Sequence, residues 1–350
     1  MIMAISGLTA CGDSSLTADC SKTESSNSMT ESSSSAQTTI SETQTTTTEV
    51  TTSAATTTTQ VPETNIQPKT NQSPLPHNEQ IQVGEKFAEV RKKADEIEIQ
   101  FGIRVLVGSE VKNIQQDVKT YSIRSADDDM DSDTVRFHIE QLERIQNQLA
   151  RYPKGFFDHF RSKDGNCGLR IALTSGIVSE SVSPAAITFH EGEWYNIAVN
   201  CISLFDNGTL NHEMWHAVEF LIDSQTPLDT SKWDKLNPAG FTYSRDYADH
   251  AQNVTVSDDT LLSISESDNI RYDVPYFVED YSKVYAVEDR ATVIETVFKW
   301  SFDGQDAPKN GLTEINKYPH IKAKLDLLGE WSKKEFGYVY WEEIIKGCCK

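Results

Sequence analysis

The sequence lacks any apolar run long enough to cross a membrane. No stretch of 18 or more apolar residues occurs in the 350-residue chain, whereas a membrane-spanning helix needs about 20. Positive charge is also scarce, because 32 Lys and Arg residues face 53 Asp and Glu residues and leave a formal net charge of −21. A surface of this sign repels nucleic acid and anionic lipid, so neither is expected as a partner.

Cysteine is rare as well, with six residues whose spacing matches no zinc finger. Two of them, Cys348 and Cys349, are adjacent near the C-terminal end. Cys167 and Cys201 each lie in or beside an apolar run that predicts a strand. In an extracellular protein this pair could form a disulfide, and two buried free thiols are the alternative.

Large apolar side chains are almost absent from the first 80 residues. Between about Ser14 and Pro76 the chain is mostly Ser, Thr, Gln, Glu and Asn, with two runs of four threonines. Such a segment cannot bury enough surface to offset the entropy of ordering it. Residues 12–80 are therefore predicted to be a disordered Ser/Thr-rich linker, with an r.m.s. reach of roughly 40–50 Å.

The N-terminal end is apolar and finishes in Leu8-Thr9-Ala10-Cys11, which resembles a bacterial lipobox, a motif whose cysteine is lipidated after cleavage. Residues 1–11 are interpreted as the remnant of a lipoprotein signal. Because no Lys or Arg precedes the apolar run, we expect the start codon to lie upstream of Met1. A lipid on Cys11 would anchor the chain at the extracellular face of the bacterial cell membrane, its only membrane contact. The alternative is an ordinary cysteine in a disordered tail.

Large apolar residues then occur throughout 81–350, which can build a sizeable core. Helical spacing predicts a helix over 87–97 and an amphipathic helix over 133–150. Apolar runs predict strands, and the last two are joined by a tight turn at Glu191-Gly192-Glu193. The predicted strands cover 102–107, 169–173, 186–189 and 194–199.

Two histidines lie four residues apart in the motif His212-Glu213-Met214-Trp215-His216. On a helix they project from one face, so both can place an imidazole nitrogen about 2 Å from one zinc ion. Glu213 is then positioned to take a proton from a water molecule that zinc activates. The apolar residues in and after the motif are typical of a buried helix. The alternative is a helix whose histidines are ordinary surface or core residues.

A catalytic zinc site needs a third protein ligand. The metzincin motif would require Gly and His where this chain has Glu219 and Ile222, which excludes that class. A carboxylate from a later helix is the alternative. Tyr281, Glu288 and Glu295 are seven residues apart, about two helical turns, and are therefore predicted to line one helix face.

With these residues the chain resembles the gluzincin metallopeptidases related to the catalytic domain of anthrax lethal factor, which include bacterial zinc-metallopeptidase lipoproteins. The resemblance rests on the His-Glu-x-x-His motif, on Glu288 in a Glu-x-x-Ala helix and on Tyr281 seven residues earlier. It covers at most residues 194–300. It implies a zincin-like fold in which Tyr281 stabilises the oxyanion and Glu213 is the general base. The zinc ligands that it implies are His212, His216 and Glu288.

The residues alone leave alternatives open. Glu288 could instead pair with Arg290 in a buried ion pair, and Tyr281 could be a packing residue. His250 lies in an acidic polar segment and is interpreted as solvated. The rival carboxylates are Glu279, Asp280 and Glu295, and the rival tyrosines are Tyr243 and Tyr285.

The predicted fold class is α+β, with a small mixed twisted sheet and the motif helix in an upper half, 81–223, and a mostly helical lower half, 224–350. The strand at about 194–201 is expected at the sheet edge, where it would pair with an extended peptide. This favours peptides over esters or sugars.

The predicted function is that of a cell-surface zinc-dependent endopeptidase, acting as a monomer on a peptide or protein substrate. One alternative is a non-catalytic, zinc-stabilised surface binding protein, against which Glu213 weighs because a structural zinc site needs no general base. The other is a hydrolase of cell-wall peptide cross-links.

Overall fold

The structure, a computed structural model, has an α+β architecture, as the sequence predicts. Cys11, His250 and most of the predicted linker lie outside the residues that it describes. The described residues are 4–6, 70–73, 75, 87–125, 131–179, 183–201, 207–243, 275–302 and 315–348.

In this part of the chain the larger sheet has five strands in the order β1-β7-β8-β5-β2. The sheet is mixed, because β5 runs parallel to both β8 and β2 while β7 runs antiparallel to β8 and β1. The strands among the described residues are β1 (Ala4–Ser6), β2 (Arg104–Leu106), β3 (Asp117–Val118), β4 (Tyr121–Arg124), β5 (Leu169–Thr174), β6 (Gly176–Val178), β7 (Ala186–Glu191) and β8 (Trp194–Asn200).

A smaller sheet of the order β3-β4-β6 was not predicted from the sequence. Its apolar residues, among them Tyr121 and Ile123, pack with Ile187 and Phe189 of β7 in a second hydrophobic cluster. The alternating residues Ala186 and Thr188 have the opposite orientation on the pleated strand. The larger sheet therefore lies between this small sheet and the helices.

The prediction that the strand near 194–201 forms the sheet edge was wrong. β8 is paired on both sides, with β7 through Ala186↔Val199 and with β5 through Ala172↔Ala198. Within the larger sheet it is β7, the first strand of the predicted hairpin, that lies next to the motif helix. The hairpin itself was predicted correctly, with Gly192 at φ 60° in its two-residue turn.

Helices supply the other layer and make up most of the described lower half, as predicted. The motif helix α3 packs against β7 on one side and against α5 on the other. The helices are α1 (Ala88–Phe101), α2 (Ser132–Leu149), α3 (Asn207–Gln225), α4 (Thr230–Asp234), α5 (Ala286–Phe302), α6 (Pro319–Phe336) and α7 (Tyr340–Cys348).

The helix predicted to carry Tyr281, Glu288 and Glu295 together is interrupted. Tyr281 lies in a separate 3-10 helix, Asp280–Lys283, and α5 begins only at Ala286. The hydroxyl oxygens of Ser282 and Thr292 are 2.6 Å apart, so the 3-10 helix folds back onto α5 instead of continuing its axis. The three side chains therefore do not share one helix face.

Part of the predicted linker contacts the domain. The Asn71 amide donates to Asp158 at 3.0 Å, and Arg104 donates to the Leu75 carbonyl oxygen at 3.3 Å. Cys167 and Cys201 are free thiols. No helix among the described residues is long and apolar enough to cross a membrane.

Candidate metal centre

The segment of α3 that carries the motif is buried on all sides. Met214, Trp215, Ala217 and Val218 are inaccessible to solvent and belong to the main hydrophobic core. A helix in this setting has fixed side-chain positions, because its neighbours leave little room for other rotamers. The two histidines of the motif are therefore held in place by packing.

His212, His216 and Glu288 meet in a buried group that can hold a metal ion. One ligand atom from each of the three lies within 4.8 Å of the others. The Glu288 carboxylate is 3.1 Å from His212 Nε2 and 3.6 Å from His216 Nε2. The structure thus brings together the two motif histidines and the predicted third ligand from α5, across 76 residues of sequence.

Two of the three ligand separations fit a tetrahedral metal ion, and the third, between the two histidines, is at most 4.8 Å. Ligand atoms bound at about 2.0–2.2 Å in a tetrahedron are separated by roughly 3.3–3.6 Å, close to the two distances above. His216 Nε2 is also a buried atom without a hydrogen-bond partner in the described part of the chain. Buried polar atoms are usually paired, so a cation bound by this nitrogen would satisfy it.

A second carboxylate of α5, Glu295, contacts the other ring nitrogen of His212. Its carboxylate lies 2.9 Å from His212 Nδ1 and 2.7 Å from Lys299 Nζ. Glu295 is therefore not among the grouped ligands, although the sequence had left it as a rival to Glu288. A carboxylate in this position fixes the tautomer and orientation of a metal-binding histidine.

The imidazoles and the carboxylate of this group stabilise one another's charges. Burial lowers the pKa of His212, but hydrogen bonds to Glu288 and Glu295 outweigh it and raise that pKa to about 10. Burial raises the pKa of Glu288, but His216 and His212 outweigh it and lower that pKa to about 2. A proton on His212 thus stands where a metal would bind, and metal binding would displace it.

Gly208, one turn before His212 on α3, makes room for Glu295. A Cβ atom at this position would lie 2.6 Å from Glu295 Oε1 and even closer to Lys299 Cε. Only glycine permits this approach of α5 to α3 without a shift of the carboxylate. Gly208 is visible in the Asn-Gly-Thr sequence before the motif, but only the tertiary contact with Glu295 explains why glycine is needed there.

The predicted general base Glu213 is fully buried and contacts β7. Thr188 Oγ1 donates to Glu213 Oε2 at 2.5 Å and also lies 3.1 Å from the Glu213 carbonyl oxygen. Thr188 was missed in the sequence, although a polar residue between Ile187 and Phe189 of an apolar strand is a signal of an inward polar contact.

Tyr281 lies at the same site in spite of the helix break. Its ring centroid is 6.4 Å from that of His212. Burial, followed by the nearby Glu288 and Glu213 carboxylates, raises the pKa of Tyr281 well above its ordinary value. The phenol therefore stays protonated and can act as a hydrogen-bond donor.

The geometry does not match the rival interpretations of a Glu288–Arg290 ion pair, of Tyr243 as the oxyanion donor or of Glu279 as the third ligand. Arg290 forms its ion pair with Glu219 of α3, at 2.5 and 2.8 Å, and not with Glu288. Tyr243 donates to Asp289 at 2.7 Å, on the far side of the first turn of α5. Glu279, a rival ligand, is exposed, and the side chain of Asp280 lies outside the described residues.

Comparison with protein families, with curated proteins and with solved structures gives no match to this chain. The site is therefore interpreted from its own geometry: a buried two-histidine, one-carboxylate group that can hold a metal ion, with a carboxylate and a phenol beside it.

Proposed function

We propose that the protein is a zinc-dependent endopeptidase. The observation that carries the proposal is the buried His212–His216–Glu288 group with the Glu213 carboxylate next to it in sequence and the Tyr281 phenol 6.4 Å from the His212 ring. A metal group, a base and a hydrogen-bond donor are the three parts that peptide hydrolysis by an activated water requires.

The donor set favours zinc over other ions. Imidazole suits zinc, copper, nickel and iron, whereas calcium and magnesium prefer oxygen ligands alone. Two histidines and one glutamate are a known set for catalytic zinc, which keeps a fourth position open for water or substrate. With a mixed sheet above the motif helix, this set supports a zincin-like variant of the α+β fold.

The residues of the chain then have separate tasks. A bound zinc ion would supply Lewis acidity, which activates water and polarises the substrate carbonyl. Glu213, oriented by Thr188, accepts the proton of the attacking water and delivers it to the leaving amine. The Tyr281 hydroxyl donates to the carbonyl oxygen as negative charge develops on it.

The edge of the larger sheet supports a peptide as the substrate. β1 pairs there with β7, and its Ala4 is opposite Thr188, the residue that contacts Glu213. Cleavage before Cys11 would remove β1, and a peptide strand bound in its place would have its backbone beside the proposed base. Main-chain pairing of this kind binds extended peptides largely independently of their side chains.

The test is the digestion of a proteome-derived peptide library by a protein of residues 66–350. Three samples are compared: the zinc-loaded protein, the metal-stripped protein and the zinc-loaded Glu213→Gln variant. Residues 66–350 form most of a compact unit that also includes Met1–Thr9; the fragment lacks β1, which cleavage before Cys11 would also remove. We expect cleavage by the zinc form only, and a fall of about 10²–10⁴ in rate with Glu213→Gln, the usual contribution of a general base. Zinc content should be unchanged in that variant.

Cleavage that survives Glu213→Gln would contradict the mechanism. Tight zinc binding without any cleavage in a diverse library would favour the non-catalytic binding protein instead. Cleavage confined to cell-wall cross-link peptides would identify the other alternative. The three outcomes are distinct, because zinc content and product masses are measured separately.

We further propose that the enzyme acts at the extracellular face of the bacterial cell membrane, held by a lipid on Cys11. The lipobox-like sequence before Cys11 supports this location. A Cys11→Ala chain expressed in bacteria should leave the membrane fraction. Unchanged membrane association would contradict the anchor.

A further inference from the structure

Three aromatic side chains lie together where β7 passes over the motif helix. The centroid of the His190 ring is 4.8 Å from that of Tyr195 and 6.4 Å from that of Phe220. Tyr195 is buried, whereas His190 and Phe220 are half-buried. These three rings are called the aromatic patch below. Part of its apolar surface is open to solvent and can be covered by another molecule.

The aromatic patch lies at a fixed spacing from the proposed base. Phe220 follows Glu213 by seven residues on α3, so the two side chains project from the same helix face, about 10 Å apart along the axis. On β7, His190 follows Thr188 by two residues and therefore shares its face of the strand. Thr188 contacts Glu213, and His190 contacts Phe220. The patch therefore lies further along both elements than the base.

The pairing of β1 shows how a strand lies at this edge of the sheet. β1 is antiparallel to β7, with Ala4 opposite Thr188 and Ser6 opposite Ala186, and it contacts both α3 and α5. A strand in the same register that extends two residues beyond the Thr188 partner, towards its own N-terminal end, reaches His190. Directly opposite residues of an antiparallel pair have side chains on the same face. A peptide in the place of β1 would therefore set one of its side chains against the aromatic patch.

We propose that the aromatic patch is a specificity subsite for an aromatic or large aliphatic side chain of a peptide, two residues N-terminal of the residue opposite Thr188. This proposal rests on the proposed peptidase function, since it assigns a subsite of the same cleft. Such a side chain would remove the open surface of His190 and Phe220 from water, and an aromatic one would add ring contacts. A charged side chain would lose hydration there.

The first experiment measures binding, so that it does not depend on turnover. The protein is the zinc-loaded Glu213→Gln variant of residues 11–350, the chain that cleavage before Cys11 would leave. It is titrated with N-acetylated octapeptide amides made of Ala and Ser, with Phe, Ala or Glu at the third position. We expect the Phe peptide to bind about tenfold more tightly than the Ala peptide. The Glu peptide should bind no more tightly than the Ala peptide.

Substitutions in the aromatic patch then test its residues. Phe220→Ala and His190→Ala should each remove most of the preference for Phe over Ala. Phe220→Lys should replace it with a preference for the Glu peptide. Phe137→Ala, at a half-buried phenylalanine of α2 outside the patch, is the matched control and should keep the full preference. Zinc content and melting temperature show that each variant is folded, and two separate patch residues allow for the loss of one variant.

The second experiment uses turnover by the same protein with Glu213 intact. Because the patch and the base are at a fixed spacing, moving Phe by one position along a longer peptide should move the cleaved bond by one position in the same direction. The cleaved bond should lie C-terminal to Phe. Product masses measure its position, and in Phe220→Ala it should no longer follow Phe.

Equal binding of the Phe and Ala peptides to the protein with an intact patch would overturn the proposal. A preference that persists in both Phe220→Ala and His190→Ala would also overturn it, as would cleavage that does not follow Phe. Failure of the peptidase function is recognised separately, by the absence of cleavage in the protein with Glu213 intact. A Phe preference that the patch substitutions remove, without any cleavage, would keep the patch as the subsite of a non-catalytic peptide-binding protein.

Discussion

Two adjacent carboxylates in the first turn of α5 lie in opposite environments. Glu288 faces His212 and His216, and these lower its pKa to about 2 against the effect of burial. Asp289 faces Lys324 at 2.6 Å, yet burial prevails and its pKa is raised. Both side chains are essentially inaccessible to solvent. One helix turn therefore serves two buried ionic clusters of different kinds.

The two clusters differ in the kind of positive group that faces the carboxylate. The cation of the Asp289 cluster is a side chain of the protein itself: Lys324 is fully buried, donates to the Tyr276 carbonyl oxygen and lies 4.0 Å from the centroid of the Phe277 ring. The Glu288 cluster has imidazoles, which can release a proton and accept a metal ion. The Asp289–Lys324 ion pair is therefore suited to a structural role, whereas the Glu288 cluster, which can exchange a proton for a metal ion, is suited to a functional site.

The largest effect expected from this contrast concerns stability. Lys324→Met leaves Asp289 buried without its cation, which should cost about 3–5 kcal/mol in the free energy of unfolding. Zinc content of the folded protein should not change. Urea unfolding and metal analysis of the same samples measure the two quantities. Adding Asp289→Asn should restore part of the lost free energy of unfolding. No restoration would contradict the ion pair between Lys324 and Asp289.

A smaller effect separates the two phenols that belong to these clusters. Tyr281→Phe should lower kcat by roughly 10²-fold, the loss typical of one oxyanion donor, and leave the melting temperature unchanged. Tyr243→Phe should do the reverse, because the Tyr243 hydroxyl accepts from Trp233 and Asn237 and donates to Asp289. Steady-state kinetics and thermal unfolding of both variants distinguish these outcomes; an exchange of the two phenotypes would overturn the assignment.

The smallest effect concerns His212, which Glu288 and Glu295 of α5 both contact. Glu295→Gln keeps a hydrogen-bond acceptor but removes the charge beside His212, so zinc affinity should fall by about 10–100-fold. Gly208→Ala should act in the same direction by displacing Glu295. Competition with a chromogenic chelator measures the affinity. Zinc binding equal to that of the parent in both variants would show that Glu295 does not orient the histidine.

The contrast also explains how far the sequence could predict the site. The motif His212-Glu213-Met214-Trp215-His216 is local, so its helix could be predicted from spacing alone. Glu288 was predicted from the resemblance to a known family, with three rival carboxylates left open. The structure brings it to the histidines even though the helix expected to carry it together with Tyr281 is broken before Ala286. The hydrogen bond between Ser282 and Thr292 accompanies the break, and a contact between residues ten apart leaves no local signal.

Residues that reach the site from other elements could not be found in this way. Thr188 reaches Glu213 from β7, and this contact depends on how the larger sheet packs on α3. The prediction that the strand near 194–201 lies at the sheet edge was wrong for a related reason. A hairpin shows that two strands are neighbours but not which of them faces outward.

Metal binding through Glu288 is tested most directly by zinc titration against a competing chelator in four proteins: the parent, Glu288→Gln, Glu295→Gln and Glu279→Gln. The exposed Glu279 is the matched control, and it was itself a rival ligand. We predict that Glu288→Gln loses more than about 100-fold in zinc affinity, beyond the range expected for outer-shell partners. Glu295→Gln should lie between it and the parent, and Glu279→Gln should equal the parent. Full zinc occupancy of Glu288→Gln under the chelator would contradict the assignment of the metal centre.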